Sequence, residues 1–184
     1  MKSEMSKILF LDRDGVVNID KHFVSRVEDI VFVKGIFQLC KYFEELDYRI
    51  VIATNQSGIA RGLFSEQEFH AVMSFIVEEF KRHAIDVLAC VHCPHGPDDN
   101  CKCRKPLPGL FTKALRQFNI EAENCISIGD RERDIEAALA AGISQNYLLQ
   151  DSQMNTGHFL GSIVVNSLSE IVQIHQRLSL DAQN

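Results

Sequence analysis

The strongest constraint on the fold is a series of short apolar runs spaced along the chain. KILFL (residues 7–11), RIVIA (49–53), VLACV (87–91) and CISIG (125–129) are the clearest, followed by weaker runs near NYLL (146–149) and IVV (163–165). Most intervals between them carry helical periodicity. Alternating strand and helix of this kind predicts an α/β fold, with a Rossmann-like parallel sheet flanked by helices. The clearest helix opens at Ser65, where Glu68 completes a capping box, and it places Phe69, Val72, Met73, Ile76 and Phe80 on one face. Another begins near Arg131 and stops at Gly142. Residues 15–34 alternate without a helical period and are expected to form a hairpin-like flap ahead of a helix starting near Gly35. No other insertion is large enough for a cap domain. The 184 residues are expected to be one domain, with a polar tail that frays after about Gln176.

Net charge is −6 and the sequence pI about 5.6, which disfavours nucleic acid and anionic membranes as partners held by overall charge. The opening MKSEMSKILFLDRDG reaches aspartate too early for a secretory signal, so a cytoplasmic chain is expected. In a reducing compartment, six cysteines point to metal or catalysis over disulfides. Cys40, Cys90 and Cys125 lie in apolar contexts and are expected to be buried thiols. Cys93, His95, Cys101 and Cys103 fall within eleven positions in CPHGPDDNCKCRKPLPG, a segment poor in regular-structure formers. A Cys₃His set suits closed, tetrahedral Zn²⁺, whereas a C-x-C disulfide closes a strained ring. Such a structural zinc would order the loop at about residues 92–109 and deliver Arg104 and Lys105, which follow the last cysteine.

In an open parallel sheet, ligands bind beyond the carboxyl ends of the strands. Three runs end there in Asp12 with Asp14, Thr54 with Asn55, and Asp130. The aspartates form an oxygen cage suited to Mg²⁺. Asp12 can attack phosphorus as an ionised nucleophile, Asp14 can serve as general acid and base, and Thr54, Asn55 and Lys105 can hold phosphoryl oxygens.

LFLDRDGVVN, ATNQSGIARG, CRKP and IGDRERD resemble, in order and spacing over roughly residues 7 to 150, the successive motifs of the haloacid dehalogenase superfamily of Mg²⁺-dependent phosphatases. The resemblance implies Asp12 as nucleophile, Asp14 as acid and base, and Mg²⁺ held by Asp12, the Asp14 carbonyl and Asp130. Thr54 and Lys105 would stabilise the transferring group. Asp20, Lys21, His22 and Phe23 in the flap, Asn55, Gln56 and Ser57, Arg104 and Arg131 match substrate-contacting positions. Asp134, one helical turn after Asp130, would orient Lys105 or a metal-bound water.

Within the superfamily, DRDGVVNIDKHFV, TNQSGIARGLFSE and CRKPLPG are most similar to the heptose 1,7-bisphosphate 7-phosphatases, with histidinol-phosphate phosphatases as near relatives sharing the zinc loop. Five residues separate His95 from Cys101, a compact loop closer to the histidinol-phosphate form. Arg131 and Phe23 stand where lysine and tyrosine are frequent. The expected partner is a small sugar phosphate, with no nucleic acid or membrane, and a monomer is expected. The alternatives are histidinol-phosphate phosphatase and a non-catalytic zinc-bearing interaction module. His70 and His83 read as ordinary exposed residues, His92 as surplus to a zinc site that four ligands already close, and Gly62 and Phe64 as parts of a turn.

Overall fold

The computed structural model describes residues 7–150 and 158–181. One sheet contains seven strands: β1 (Lys7–Leu11), β2 (Tyr48–Asn55), β3 (Val87–Cys93), β4 (Cys125–Gly129), β5 (Gln145–Leu149), β6 (His158–Phe159) and β7 (Ser162–Val165). Their order is β3-β2-β1-β4-β5-β7-β6, and every neighbouring pair is parallel except β6 with β7. The six expected runs are six of these strands; β6 is a two-residue addition.

β1 shows why the sheet needs helices on both faces. Leu9 and Leu11 join one core with Phe43, Phe69, Val72 and Ile76, under α1 (Ile36–Glu44), α2 (Glu66–Arg82) and α5 (Leu168–Asp181). Ile8 and Phe10 point the other way, into a second core with Phe111, Ala114, Ala137 and Ala138 from α3 (Gly109–Phe118) and α4 (Glu132–Ala140). Period-two alternation thus buries both faces of one strand. The α2 capping box forms as expected: the Glu68 amide donates to Ser65 Oγ at 3.2 Å, and the Ser65 amide donates to Glu68 Oε2 at 2.7 Å.

Three expectations need correction. The flap is a hairpin only at its base: an antiparallel Asn18–Phe32 bridge is flanked by hydrogen bonds from the Ile19 amide to the Val31 carbonyl at 2.8 Å and from the Val33 amide to the Val17 carbonyl at 3.0 Å, Asp14 bridges Asn18 in parallel, and Val27–Asp29 form a 3₁₀ turn. Val16, Val17 and Val24 are buried whereas Ile19, Phe23 and Val31 are exposed, so its apolar residues divide between core and surface instead of lining one strand face. Cys90 is exposed because β3 is an edge strand, whereas Cys40 and Cys125 are buried. The helical conformation continues past Gln176 to Asp181, where α5 ends; residues 182–184 lie outside the described set. α5 is docked through Tyr42, whose hydroxyl lies 2.9 Å from His175 Nδ1. Among the described residues no helix is long and apolar enough to cross a membrane.

Candidate active site

β1 and β4 are neighbours in space although two strands and three helices separate them along the chain. From β1 the chain builds outward through β2 and β3, then returns to start the other half of the sheet at β4. Their carboxyl ends therefore open at the switch point, where a crevice must form. Leu11 is in register with Ile128, and the Asp12 amide donates to the Ile128 carbonyl at 3.0 Å. This pairing sets Asp12 beside Asp130. Gly15 closes the turn with φ +91°, and a Cβ there would overlap the Asp130 carboxylate. Only glycine permits both the turn and that approach.

Asp12, Asp130 and Asp134 each offer a carboxylate oxygen within 4.8 Å of the other two. Lys105 lies among them with its side chain 1% exposed. Its Nζ donates to Asp12 Oδ1 at 2.7 Å and the Ala53 carbonyl at 2.8 Å, and ion-pairs with Asp134 Oδ1 at 2.6 Å. Asp134 Oδ2 accepts from the Arg131 amide at 3.0 Å. Both Asp134 oxygens are thus engaged, which fits an orienting role better than ligation.

Burial pushes the Asp12 carboxyl up to about 8; Asp134, Asp130 and Asp14 add to the rise, and Lys105 opposes it. Burial, with help from Asp134, pushes Asp130 up to about 6 against Arg131 and Lys105. Burial pulls the Lys105 ammonium down, but Asp12 and Asp134 outweigh it and hold the pKa above the ordinary lysine value. With all four groups ionised, three carboxylates and one ammonium sum to −2 (−3 + 1). A divalent cation on Asp12 and Asp130 would cancel that excess, so the donor set fits Mg²⁺.

The Asp14 carboxylate faces another set of groups. Arg13 grips it through Nε and Nη2, Asn18 Nδ2 donates to Oδ1 at 3.0 Å, and Gln56 Nε2 donates to Oδ2 at 3.0 Å. The same Gln56 amide nitrogen reaches Thr54 Oγ1 at 2.9 Å, joining the end of β2 to Asp14. Asn55, expected to hold phosphoryl or substrate oxygens, uses its side chain on the main chain of Lys105: it accepts from the Lys105 amide at 3.1 Å and donates to the Lys105 carbonyl at 3.0 Å.

Two cavities share Asp20, whose carboxylate lies 3.4 Å from the Arg131 guanidinium. One, of about 230 Å³, is lined by Asp14, Asp20, His22 and Phe23 on the flap side and by Asn55, Gln56, Ser57 and Arg61 across it; Arg104 and Arg133 complete it. The other is a groove of about 900 Å³ bounded by Gly15, Asp20, Asp130 and Arg131, and by Asn166 and Ser167 at the start of α5. Most expected contact residues therefore converge. Lys21 does not: it is exposed and lies outside both linings. Sequence reasoning missed Arg61, Arg133 and the buried Arg13. Arg61 and Arg133 sit inside TNQSGIARG and GDRERD, and their arginine content was the available signal.

Beyond β3, Cys93, His95, Cys101 and Cys103 come together as free thiols and imidazole. Cys93 Sγ lies 3.5 Å from His95 Nδ1, 3.6 Å from Cys101 Sγ and 3.2 Å from Cys103 Sγ; His95 Nδ1 lies 3.3 Å from Cys103 Sγ. Ligand bonds of about 2.0–2.3 Å give a tetrahedron edges of roughly 3.3–3.8 Å, so this donor set fits zinc. α3 starts directly against the loop: a Cβ at Gly109 would overlap the Lys102 carbonyl and Cys103 Cα.

Comparison with known proteins agrees with this architecture. The HAD-hydrolase-like family model matches residues 102–171. The D-glycero-alpha-D-manno-heptose-1,7-bisphosphate 7-phosphatase of Campylobacter jejuni is 43% identical over 154 residues, covering 84% of this chain and 88% of that protein. The D-glycero-beta-D-manno-heptose-1,7-bisphosphate 7-phosphatase of Helicobacter pylori is 42% identical, covering 83% and 89%. The solved D,D-heptose 1,7-bisphosphate phosphatase from B. bronchiseptica, complexed with magnesium and phosphate, superposes with a TM-score of 0.83 at 34% identity, covering 94% of this chain and 99% of that one. At such identity over most of both chains, the protein is a phosphoric monoester hydrolase and belongs to the heptose-1,7-bisphosphate 7-phosphatase family of HAD-like hydrolases.

Proposed function

We propose that the protein removes the 7-phosphate of D-glycero-D-manno-heptose 1,7-bisphosphate through an aspartyl-phosphate at Asp12. The carrying observation is the cleft of about 230 Å³, where Arg61, Arg104 and Arg133 stand against the carboxylates of Asp14 and Asp20. Three guanidinium groups exceed what one reacting phosphoryl group needs, and they suit a second phosphate on the same substrate. Histidinol phosphate would instead bring an ammonium toward that cluster. The compact zinc loop is the one feature that favours it.

In the first step an Asp12 carboxylate oxygen bonds to phosphorus while the bond from phosphorus to the sugar oxygen breaks. Asp14 gives that oxygen its proton. In the second, water bonds to phosphorus, the bond to Asp12 breaks, and Asp14 takes a proton from the water. Lys105, fixed by Asp12, Asp134 and Ala53, offsets phosphoryl charge, while Asn55 anchors its main chain. Asp12, the Asp14 carbonyl and Asp130 would hold Mg²⁺, which supplies charge neutralisation for anionic substrate. Zn²⁺ at Cys93, His95, Cys101 and Cys103 would be structural, since four protein ligands close its coordination.

The test is a side-by-side assay with Mg²⁺ on both anomers of the heptose bisphosphate and on histidinol phosphate. Faster turnover of a bisphosphate anomer is expected; faster turnover of histidinol phosphate would overturn the substrate assignment. Stripping zinc by chelation and restoring Mg²⁺ should lower kcat about 10²-fold, the scale of a catalytic group misplaced by about 1 Å, because Lys105 follows Cys103 by two positions. Unchanged kcat in the zinc-free protein would separate the loop from catalysis.

A further inference from the structure

We propose that Arg13 is a positioning residue for proton transfer by Asp14. This rests on the aspartyl-phosphate reading above. Arg13 is fully buried, between two catalytic-site aspartates in sequence. Its Nε lies 3.1 Å from Asp14 Oδ1, and its Nη2 lies 2.9 Å from Oδ1 and 2.8 Å from Oδ2. Nη2 also donates to the Val24 carbonyl of the flap at 3.2 Å, and the guanidinium carbon stands 5.9 Å from the centroid of the Phe69 ring.

The remaining nitrogen, Nη1, is buried without a hydrogen-bond partner. A guanidinium in that position is a poor device for stability alone, since a well-packed apolar side chain would avoid both its desolvation and its unpaired donor. What an apolar side chain could not do is hold a carboxylate in one rotation. Asn18 donates to Oδ1 and Gln56 to Oδ2, each at 3.0 Å and each from a separate side chain. The planar Arg13 fork alone spans both oxygens from one rigid, buried group and so fixes the plane of the carboxylate. Because the same nitrogen holds the Val24 carbonyl, the fork also ties the orientation of Asp14 to the seating of the flap. Arg13 therefore sets the direction in which Asp14 delivers a proton to the leaving oxygen, and later receives one from water.

A leaving group that departs as a stable anion needs no such proton. The experiment compares the wild type, Arg13→Gln and Arg13→Lys on D-glycero-D-manno-heptose 1,7-bisphosphate, whose leaving group is an alkoxide, and on 4-nitrophenyl phosphate. In kcat/KM, which reports the first step alone, Arg13→Gln should lose about 10²-fold on the sugar ester, near the lower bound for a general acid, and less than about tenfold on the aryl ester. Arg13→Lys, which keeps the charge but not the fork, should recover part of the loss on the sugar ester. The ratio of the two kcat/KM values does not depend on the fraction of protein folded, so a poorly folding variant still reports. Equal losses on both substrates would overturn the positioning role and leave Arg13 a folding residue. Failure of the wild type to cleave either ester would overturn the phosphatase reading on which the inference rests.

Discussion

Asp12→Asn is expected to lower turnover by on the order of 10⁴-fold or more, while leaving the metal-free protein at least as stable as the wild type near pH 8. The amide oxygen can still accept from Lys105 Nζ, which lies 2.7 Å from Asp12 Oδ1, but it cannot attack phosphorus. Removing one carboxylate reduces the buried excess of charge from −2 (−3 + 1) to −1 (−2 + 1). The pH dependence has a definite sign. The folded-state pKa of Asp12 is raised from 3.8 to about 8, so its contribution to stability is fully present below the unfolded value and is lost as pH rises toward the folded one. The wild type in chelator should therefore lose stability relative to Asp12→Asn between about pH 4 and 8, and the gap should level off above. Thermal melts in EDTA across that range, with turnover measured in Mg²⁺, check both halves. Turnover within tenfold of wild type would remove Asp12 as nucleophile, and a stability difference flat with pH would mean that Asp12 does not carry the strain of the cage.

The legible and illegible parts of this chain divide along physical lines. Strands were legible where burial acts on consecutive residues: Ile8, Leu9, Phe10 and Leu11 are at most 1% exposed, and a short apolar run bounded by polar residues suits a strand covered on both faces. Asp12 and Asp130 were legible as polar residues immediately after such runs, where a parallel sheet opens its crevice. The flap was legible only in part, because Val16 and Val17 are adjacent residues buried by a turn and do not alternate, and antiparallel pairing is limited to the stretch where residues 17–19 face 31–33. The exposure of Cys90 follows from sheet order, which places β3 at an edge, and local apolar context is the same for an edge strand as for a central one. Asn55 lines the cleft as expected of a contact residue, but its hold on Lys105 was hidden for a tertiary reason. Its neighbours in sequence suggest a phosphate loop, but its amide meets the Lys105 main chain from fifty residues away. Arg13 was hidden because a charged residue between two aspartates looks solvated, and only the packing of the flap shows it buried.

Lys105→Met should reduce kcat by about 10³-fold, the upper end for loss of one preorganised charge-stabilising group, and should destabilise the metal-free protein by about 3–5 kcal/mol near neutral pH. The stability loss arises because the substitution leaves Asp12 and Asp134 buried without their cation, Arg131 Nε reaching only Asp130, at 3.0 Å; proton uptake by Asp12 would limit the damage, so the loss should grow as pH rises. Saturating Mg²⁺ should recover much of the stability and little of the activity, since a cation in the cage replaces the charge but not the donor aimed at phosphate. Lys105→Arg separates charge from shape: a guanidinium must enter a space where the lysine side chain is only 1% exposed and Nζ meets Asp12, Asp134 and the Ala53 carbonyl, so activity should stay well below wild type. The most informative arm combines Lys105→Met with zinc removal. If the Cys93–His95–Cys101–Cys103 loop serves catalysis by holding Lys105, then stripping zinc should cost about 10²-fold in the wild type and almost nothing further in the Lys105→Met background, a non-additivity of about 2.7 kcal/mol. Additive losses would mean that the loop acts through another group it delivers, and Arg104, whose Nη1 donates to the His95 carbonyl at 3.3 Å and which lines the arginine cleft, would be the residue to substitute next.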